Sequence, residues 1–139
     1  MNNEYKDDSD SKPRLLDIFR DRARLLARDL QGAYLRSASL YQLDLSDVKF
    51  IGADLAKASL DGCDLRDTDF SGANLCETSL RDVNLTGARM KDCYLTGAFF
   101  SNNTILPDGV QWAQSVDPLA ALANAGAKWS WRFPPAAAN

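Results

Sequence analysis

The sequence predicts an all-β solenoid, a quadrilateral β-helix of about four coils with short helical caps, and three observations predict it. Apolar residues fall five apart without a slip through "GADLAKASLDGCDLRDTDFSGANL", at Leu55, Leu60, Leu65, Phe70 and Leu75. A small residue usually stands two places earlier, as at Ala53, Ala58, Cys63, Thr68 and Ala73. A slower beat of twenty residues links Ser39, Ser59 and Ser79, and likewise Gly32, Gly52 and Gly72.

The five-residue period excludes the ordinary elements. On a helix, successive centre residues would sit roughly 140° apart and share no face. On a strand, residues five apart point to opposite sides. The backbone must bend once per quintet and present the same position inward each time. The frame holds through fifteen units from Leu30 to Phe100. Between each flank and centre residue stands an outward position, often Asp54, Asp64, Asp69, Asn74 or Asn84 in type. Glycine recurs two places after the centre, where a corner needs permissive dihedrals. Twenty residues per turn means four sides of five, and Asp29, Lys49, Asp69 and Arg89 alternate in sign at that interval. With rungs about 4.8 Å apart, the stack is roughly 20 Å tall.

The motifs "GADLA", "GANLC" and "GAYLR" resemble the A(D/N)LXX unit of the pentapeptide-repeat family. The segment "TILPDG", Thr104 to Gly109, resembles one that often follows the repeats in bacterial, notably cyanobacterial, members. The resemblance implies a right-handed coil, with the centre and flank residues as interior ladders. Arg28 departs from the pattern, because an unpaired charge does not fit a dry axis. The Leu30 unit is therefore expected to be half-formed.

The repeats are expected to span residues 28–102, with flanking segments on both sides. Residues 13–27 read as an N-terminal capping helix, since Leu15, Leu16, Phe19, Ala23 and Leu26 share helical spacing. Residues 103–133 read as a C-terminal cap. It comprises a turn at Pro107-Asp108-Gly109, a short helix opened by Asp117-Pro118 and stopped by Gly126, and an aromatic strand. In that strand Trp129, Trp131 and Phe133 alternate with Ser130 and Arg132 on one face. Together with Trp112 they are expected to seal the last coil, or else to form a sticky patch. Residues 1–12 and 134–139 read as disordered tails.

Composition narrows the function. The net charge of −3 argues against a dedicated nucleic-acid binder. No apolar run approaches a membrane span, and the polar start is no signal peptide, so the expected compartment is the cytoplasm. Histidine is absent, which removes the commonest general base and a favoured metal ligand. Three irregularly spaced cysteines make no zinc or disulfide framework. Cys63 and Cys93 are expected inside as thiols, and Cys76 outside. Asp67, Asp69 and Ser71 imitate the start of a calcium loop, but its twelfth position is Thr78 rather than a bidentate Glu. The ladder of Ser39, Ser59 and Ser79 lacks any base.

The expected function is therefore non-catalytic, with no catalytic, cofactor-binding or metal-binding residues and no cofactor. The solenoid walls are expected to recognise an unidentified protein partner, without direct nucleic-acid or membrane binding. The candidate contacts are Tyr34, Tyr41, Asp54, Asp61 and Tyr94 on the walls, or Trp129, Trp131 and Phe133 in the C-terminal strip. The C-terminal segment also admits a homodimer. The second reading is a DNA-mimicking protein that binds a topoisomerase such as gyrase. It rests on the acidic run Asp61, Asp64, Asp67, Asp69, Glu77 and Asp82 and on what the family resemblance implies.

Overall fold

Each quintet forms one straight side of three residues and one two-residue corner, and four quintets close a coil. The computed structural model describes residues 27–137. Parallel bridges join residues twenty apart and define four walls. The first wall stacks Asp29, Lys49, Asp69 and Arg89. The second stacks Tyr34, Asp54, Asn74, Tyr94 and finally Lys128. The third stacks Ser39, Ser59, Ser79, Phe99 and Ala136, and includes the paired strands β1 (Ser79–Leu80), β2 (Phe99–Phe100) and β3 (Ala136–Ala137). The fourth stacks Asp44, Asp64, Asn84 and Ile105.

The inward ladders are dry. Leu55, Leu60, Leu65, Phe70, Leu75, Leu80 and Leu85 have no exposed surface, and the flank residues Ala53, Ala58, Cys63 and Ala73 are buried beside them. Burying each large side chain contributes about 1.5–3 kcal/mol. Phe50 and Phe70 stack directly, with ring centroids 5.2 Å apart and planes 4° apart. Polar flank residues find backbone partners: Thr78 Oγ1 donates to Leu55 O at 2.8 Å and Thr68 Oγ1 to Leu65 O at 2.7 Å. Among the described residues no buried side-chain nitrogen or oxygen lacks a hydrogen bond.

The outward Asp or Asn of the motif has a local task. Its carboxylate or amide oxygen accepts the N–H two residues on, as Asp54 does from Ala56, Asp69 from Ser71 and Asn74 from Cys76. Such a side-chain bond holds the corner in shape. The second corner residue adopts positive φ throughout, whether glycine or not; Asp67 stands at 58°. Gly87 stands at φ 75°, and a Cβ there would also make the Asp67 carboxylate swing aside.

Several expectations need correction. Arg28 does not leave the first unit half-formed: Leu30 is buried and its N–H donates to Lys49 O at 2.8 Å. The Arg28 guanidinium instead donates to the carbonyls of Asp44 and Ser46, at 3.3 and 3.0 Å. Beyond residue 102 the chain adds one further side to the coil. Three residues, Ser101 to Asn103, make the next corner, and Thr104 and Leu106 then take the flank and centre places. That one-residue insertion makes Ile105 pair with Asn84, twenty-one residues back. Residues 134–137 are not a tail, because Pro135 is buried and β3 pairs with β2.

The aromatic strand is also corrected. Lys128 bridges Tyr94, but the chain turns after Ser130, so Trp131 and Phe133 do not share a strand face with Trp129. A side here is only three residues long, too short for the alternation to persist. The short helix is present as α1 (Pro118–Asn124), with Asp117 accepting the N–H of Ala120 at 3.0 Å. Leu122 of α1 is fully buried in the core. The expected helix over residues 13–27 lies outside the described residues, apart from Ala27, which is in a turn.

Candidate interaction surface

The wall candidates separate into two columns. Tyr34, Asp54 and Tyr94 do share the second wall. Tyr41 and Asp61 occupy the corner between the third and fourth walls, a full side away. Asp54 is occupied structurally, accepting from Ala56 N–H and pairing with Arg36 at 3.4 Å. Asp61 accepts from the Ser79 hydroxyl at 2.6 Å and from Arg81 N–H at 3.0 Å. Both carboxylates therefore serve the coil. Tyr41 and Tyr94 remain exposed, while Tyr34 is half-buried.

The C-terminal candidates also divide. Trp129 is partly buried against the core, whereas Trp131 and Phe133 are 82% and 64% exposed. Their turn lies over the corner between the second and third walls. Gly97 N–H donates to Phe133 O at 2.7 Å, and Ser130 N–H to Thr96 Oγ1 at 3.0 Å. Tyr94 flanks that corner on the second wall. On the third wall it is flanked by Phe99, which the sequence reading passed over. The signal was present: in the column Ser39, Ser59, Ser79, the next outward residue is Phe99. Four exposed aromatics, Tyr94, Phe99, Trp131 and Phe133, thus surround one corner.

Two cations lie over aromatic rings, Arg132 in that turn and Arg81 at the corner between the third and fourth walls. The Arg132 guanidinium carbon lies 5.3 Å from the Trp131 ring centroid, and that of Arg81 lies 5.5 Å from the Phe99 ring centroid. Lys128 pairs with Asp92 at 2.7 Å, which holds the Asp92 carboxyl below its ordinary range and raises the Lys128 ammonium. On the fourth wall, Arg66 grips Asp64 at 2.6 Å, and that hydrogen bond lowers the Asp64 carboxyl.

The chemical inventory elsewhere is sparse. Cys63, Cys76 and Cys93 are free thiols; burial raises Cys63, and pushes Cys93 up to about 12. Asp69, in the calcium-like run, caps the corner at Ser71. Among the described residues no group of three His, Cys, Asp or Glu converges as a metal site requires. The groove between Asp47, Lys49, Asp67, Asp69 and Arg89, about 300 Å³, lies open on the outside. No helix among the described residues is long and apolar enough to cross a membrane.

A filled four-sided shaft that carries its variation on its skin defines a solenoid repeat protein. The chain belongs to the pentapeptide-repeat family: the profile described as pentapeptide repeats matches residues 29–67 and 63–102, in 8 copies. Proteins of this family fold as right-handed quadrilateral β-helices, and they are generally non-catalytic structural or interaction modules. A pentapeptide repeat protein from the cyanobacterium Cyanothece 51142 is 34% identical, with a TM-score of 0.54 over 55% of this chain and 52% of that one. The likeness thus spans about half the length of that protein. A second, from Nostoc Pcc 7120, is 26% identical, with a TM-score of 0.51 over 85% of this chain and 98% of that one. A third, from the Arabidopsis thaliana thylakoid lumen, is 30% identical, with a TM-score of 0.48 over 69% and 77% of the two chains. No curated protein matches the sequence significantly.

Proposed function

We propose that this protein is a cytoplasmic, non-catalytic interaction module, a solenoid of about four coils with helical caps that holds one docking corner rigid. The observation that carries the reading is the gathering of Tyr94, Phe99, Trp131 and Phe133, all exposed, around a single corner. Exposed aromatics on adjoining walls favour a contact site, where aromatic and Arg side chains are the usual anchors. The scaffold adds rigidity. Each side is hydrogen-bonded to the coils beside it, so little order is lost when a partner docks.

The test is capture with the full chain against a Trp131→Ala/Phe133→Ala double variant. A partner held by the first and lost by the second supports the reading, provided the variant keeps its thermal unfolding profile. Identical partners for both would overturn it. Homodimerisation through the same C-terminal segment is the competing occupant, and sedimentation over a range of concentrations separates the two.

The topoisomerase reading rests on the acidic run, whose members fall on different walls and corners. Asp64 is gripped by Arg66 and Glu77 lies 4.0 Å from Lys57, so the run offers less free negative charge than its composition suggests. A gyrase supercoiling assay tests it, and inhibition at micromolar protein would restore it over the docking corner.

A further inference from the structure

The third wall is open at both ends. In the first coil, Leu40 N–H donates to Ser59 O and Ser59 N–H to Ala38 O, so the N–H and C=O of Ser39 between them face away from the stack. They meet no partner among the described residues. On the fourth wall Arg28 occupies the matching acceptors, Asp44 O and Ser46 O. At the far end, Ala136 N–H donates to Ala98 O at 3.0 Å, which turns Pro135 C=O and Ala137 N–H outward, likewise without partners among the described residues. The fourth wall adds apolar surface at the same two ends. Leu43 is the one leucine at a flank place and, with no rung beneath it, is 41% exposed where the other flank residues are buried or half-buried. Above the last side of that wall Gln111 pairs with Ile105, and Val110 and Val116 stand exposed along a groove of about 410 Å³ shared with Ala120 and Ala121.

Going beyond the docking corner, we infer that the chain stacks head to tail on a second copy of itself. Ala137 N–H donates to the next copy's Ser39 C=O, and the Ser39 N–H of that copy donates to Pro135 C=O. This is the exchange that joins each rung of the third wall, so the ladder from Ser39 to Ala136 runs on in register. Both walls carry five rungs, counting Ala136 and Gln111, so the same placement sets Leu43 over Val110 and the groove. A foreign strand would satisfy the Ser39 edge alone. Only a second copy brings the matching edge and the matching apolar surface together on adjoining walls. The contact is heterologous and does not close, so it yields an open series rather than a dimer. One bridge and one leucine per junction keep each step weak.

Sedimentation velocity of the full chain, from about 10 µM to about 1 mM, tests it. The weight-average mass is expected to climb steadily past that of a dimer. Ser39→Pro removes a donor that no internal bond uses, and Leu43→Glu charges the apolar contact. Each should move the onset to at least about tenfold higher concentration, with thermal unfolding unchanged. Trp131→Ala, at the docking corner, should leave the series as it was. A mass that levels at the dimer would overturn the inference, as would a series indifferent to both Ser39→Pro and Leu43→Glu. Association lost in Trp131→Ala would overturn it in favour of self-contact through the aromatic corner. A monomer throughout would also overturn it, leaving the first-coil end to the chain's own N-terminal segment or to a foreign strand, with the docking corner untouched.

Discussion

Trp112 lies flat on Phe100, with ring centroids 5.0 Å apart and planes 17° apart. Phe100 is the last centre residue of the unbroken frame, and the indole closes the shaft above it. Replacing Trp112 by Ala removes that cover from a fully buried ring. The expected loss is about 2–3 kcal/mol, below the range for a wholly buried Trp because Trp112 is only half-buried. The urea midpoint measures it, and an unchanged midpoint would show that the stack does not close the shaft.

Phe70 sits mid-shaft with no exposed surface and stacks on Phe50. Phe70→Asp places an unpaired charge in that column and should leave no cooperative thermal transition. Phe70→Leu keeps most of the volume and should cost about 1.5 kcal/mol or less. A Phe70→Asp protein with its melting temperature intact would refute the inward frame.

Arg28 donates to the carbonyls of Asp44 and Ser46 on the first coil, so among the described residues it satisfies part of that coil's edge. Arg28→Ala leaves those acceptors to water and should destabilise by about 1 kcal/mol. It should also increase end-to-end association, since uncovered strand edges pair with other chains. Light scattering at rising protein concentration reads the second effect.

Acid should weaken the fold only at low pH. Asp44 is held below its ordinary range by the Ser46 hydroxyl, Asp64 by Arg66 and Asp92 by Lys128. A carboxyl depressed in the folded state contributes stability that is complete above its unfolded pKa, roughly 3.9, and lost as pH falls through the lower folded value. The melting temperature should therefore hold from neutrality to about pH 5 and decline below about pH 4. The groups are exposed, so the decline is shallow and shrinks further in salt. Asp64→Asn should remove part of it. A decline centred near pH 6 would contradict the assignment.

Thiol reactivity should separate the three cysteines. Cys63 and Cys93 are buried and shifted upward, Cys93 to about 12, while Cys76 is half-buried at a corner. Thiolate is the reactive form, so an aromatic disulfide reagent at pH 8 should modify one thiol quickly and two only on unfolding. Peptide mapping that places the first label on Cys93 would overturn the inward placement of that side chain.

Much of the architecture was legible because the five-residue period admits one local solution. Leu55, Leu60 and Leu65 share an interior only if the chain bends at each quintet, and the recurrence of Ser39, Ser59 and Ser79 sets four sides per coil. The Asp and Asn at the outward positions stabilise the same bends. The further side beyond the repeats was not legible, because the extra residue at the Ser101–Asn103 corner hides Thr104 and Leu106 from a strict frame. The strip from Trp129 to Phe133 was misread for a related reason: alternation implies a strand only where the chain stays straight beyond three residues.

By itself, the sequence determined the coil, its four walls and its dry interior, since those follow from a local rule repeated down the chain. Only the tertiary structure decided which outward residues become neighbours. Phe99 and Trp131 are far apart in the chain and belong to no common motif. They meet at one corner because residues 127–137 return to the second and third walls after α1. That return depends on long-range rung pairing and on burial of Leu122, Ala127 and Pro135, which no repeat period encodes.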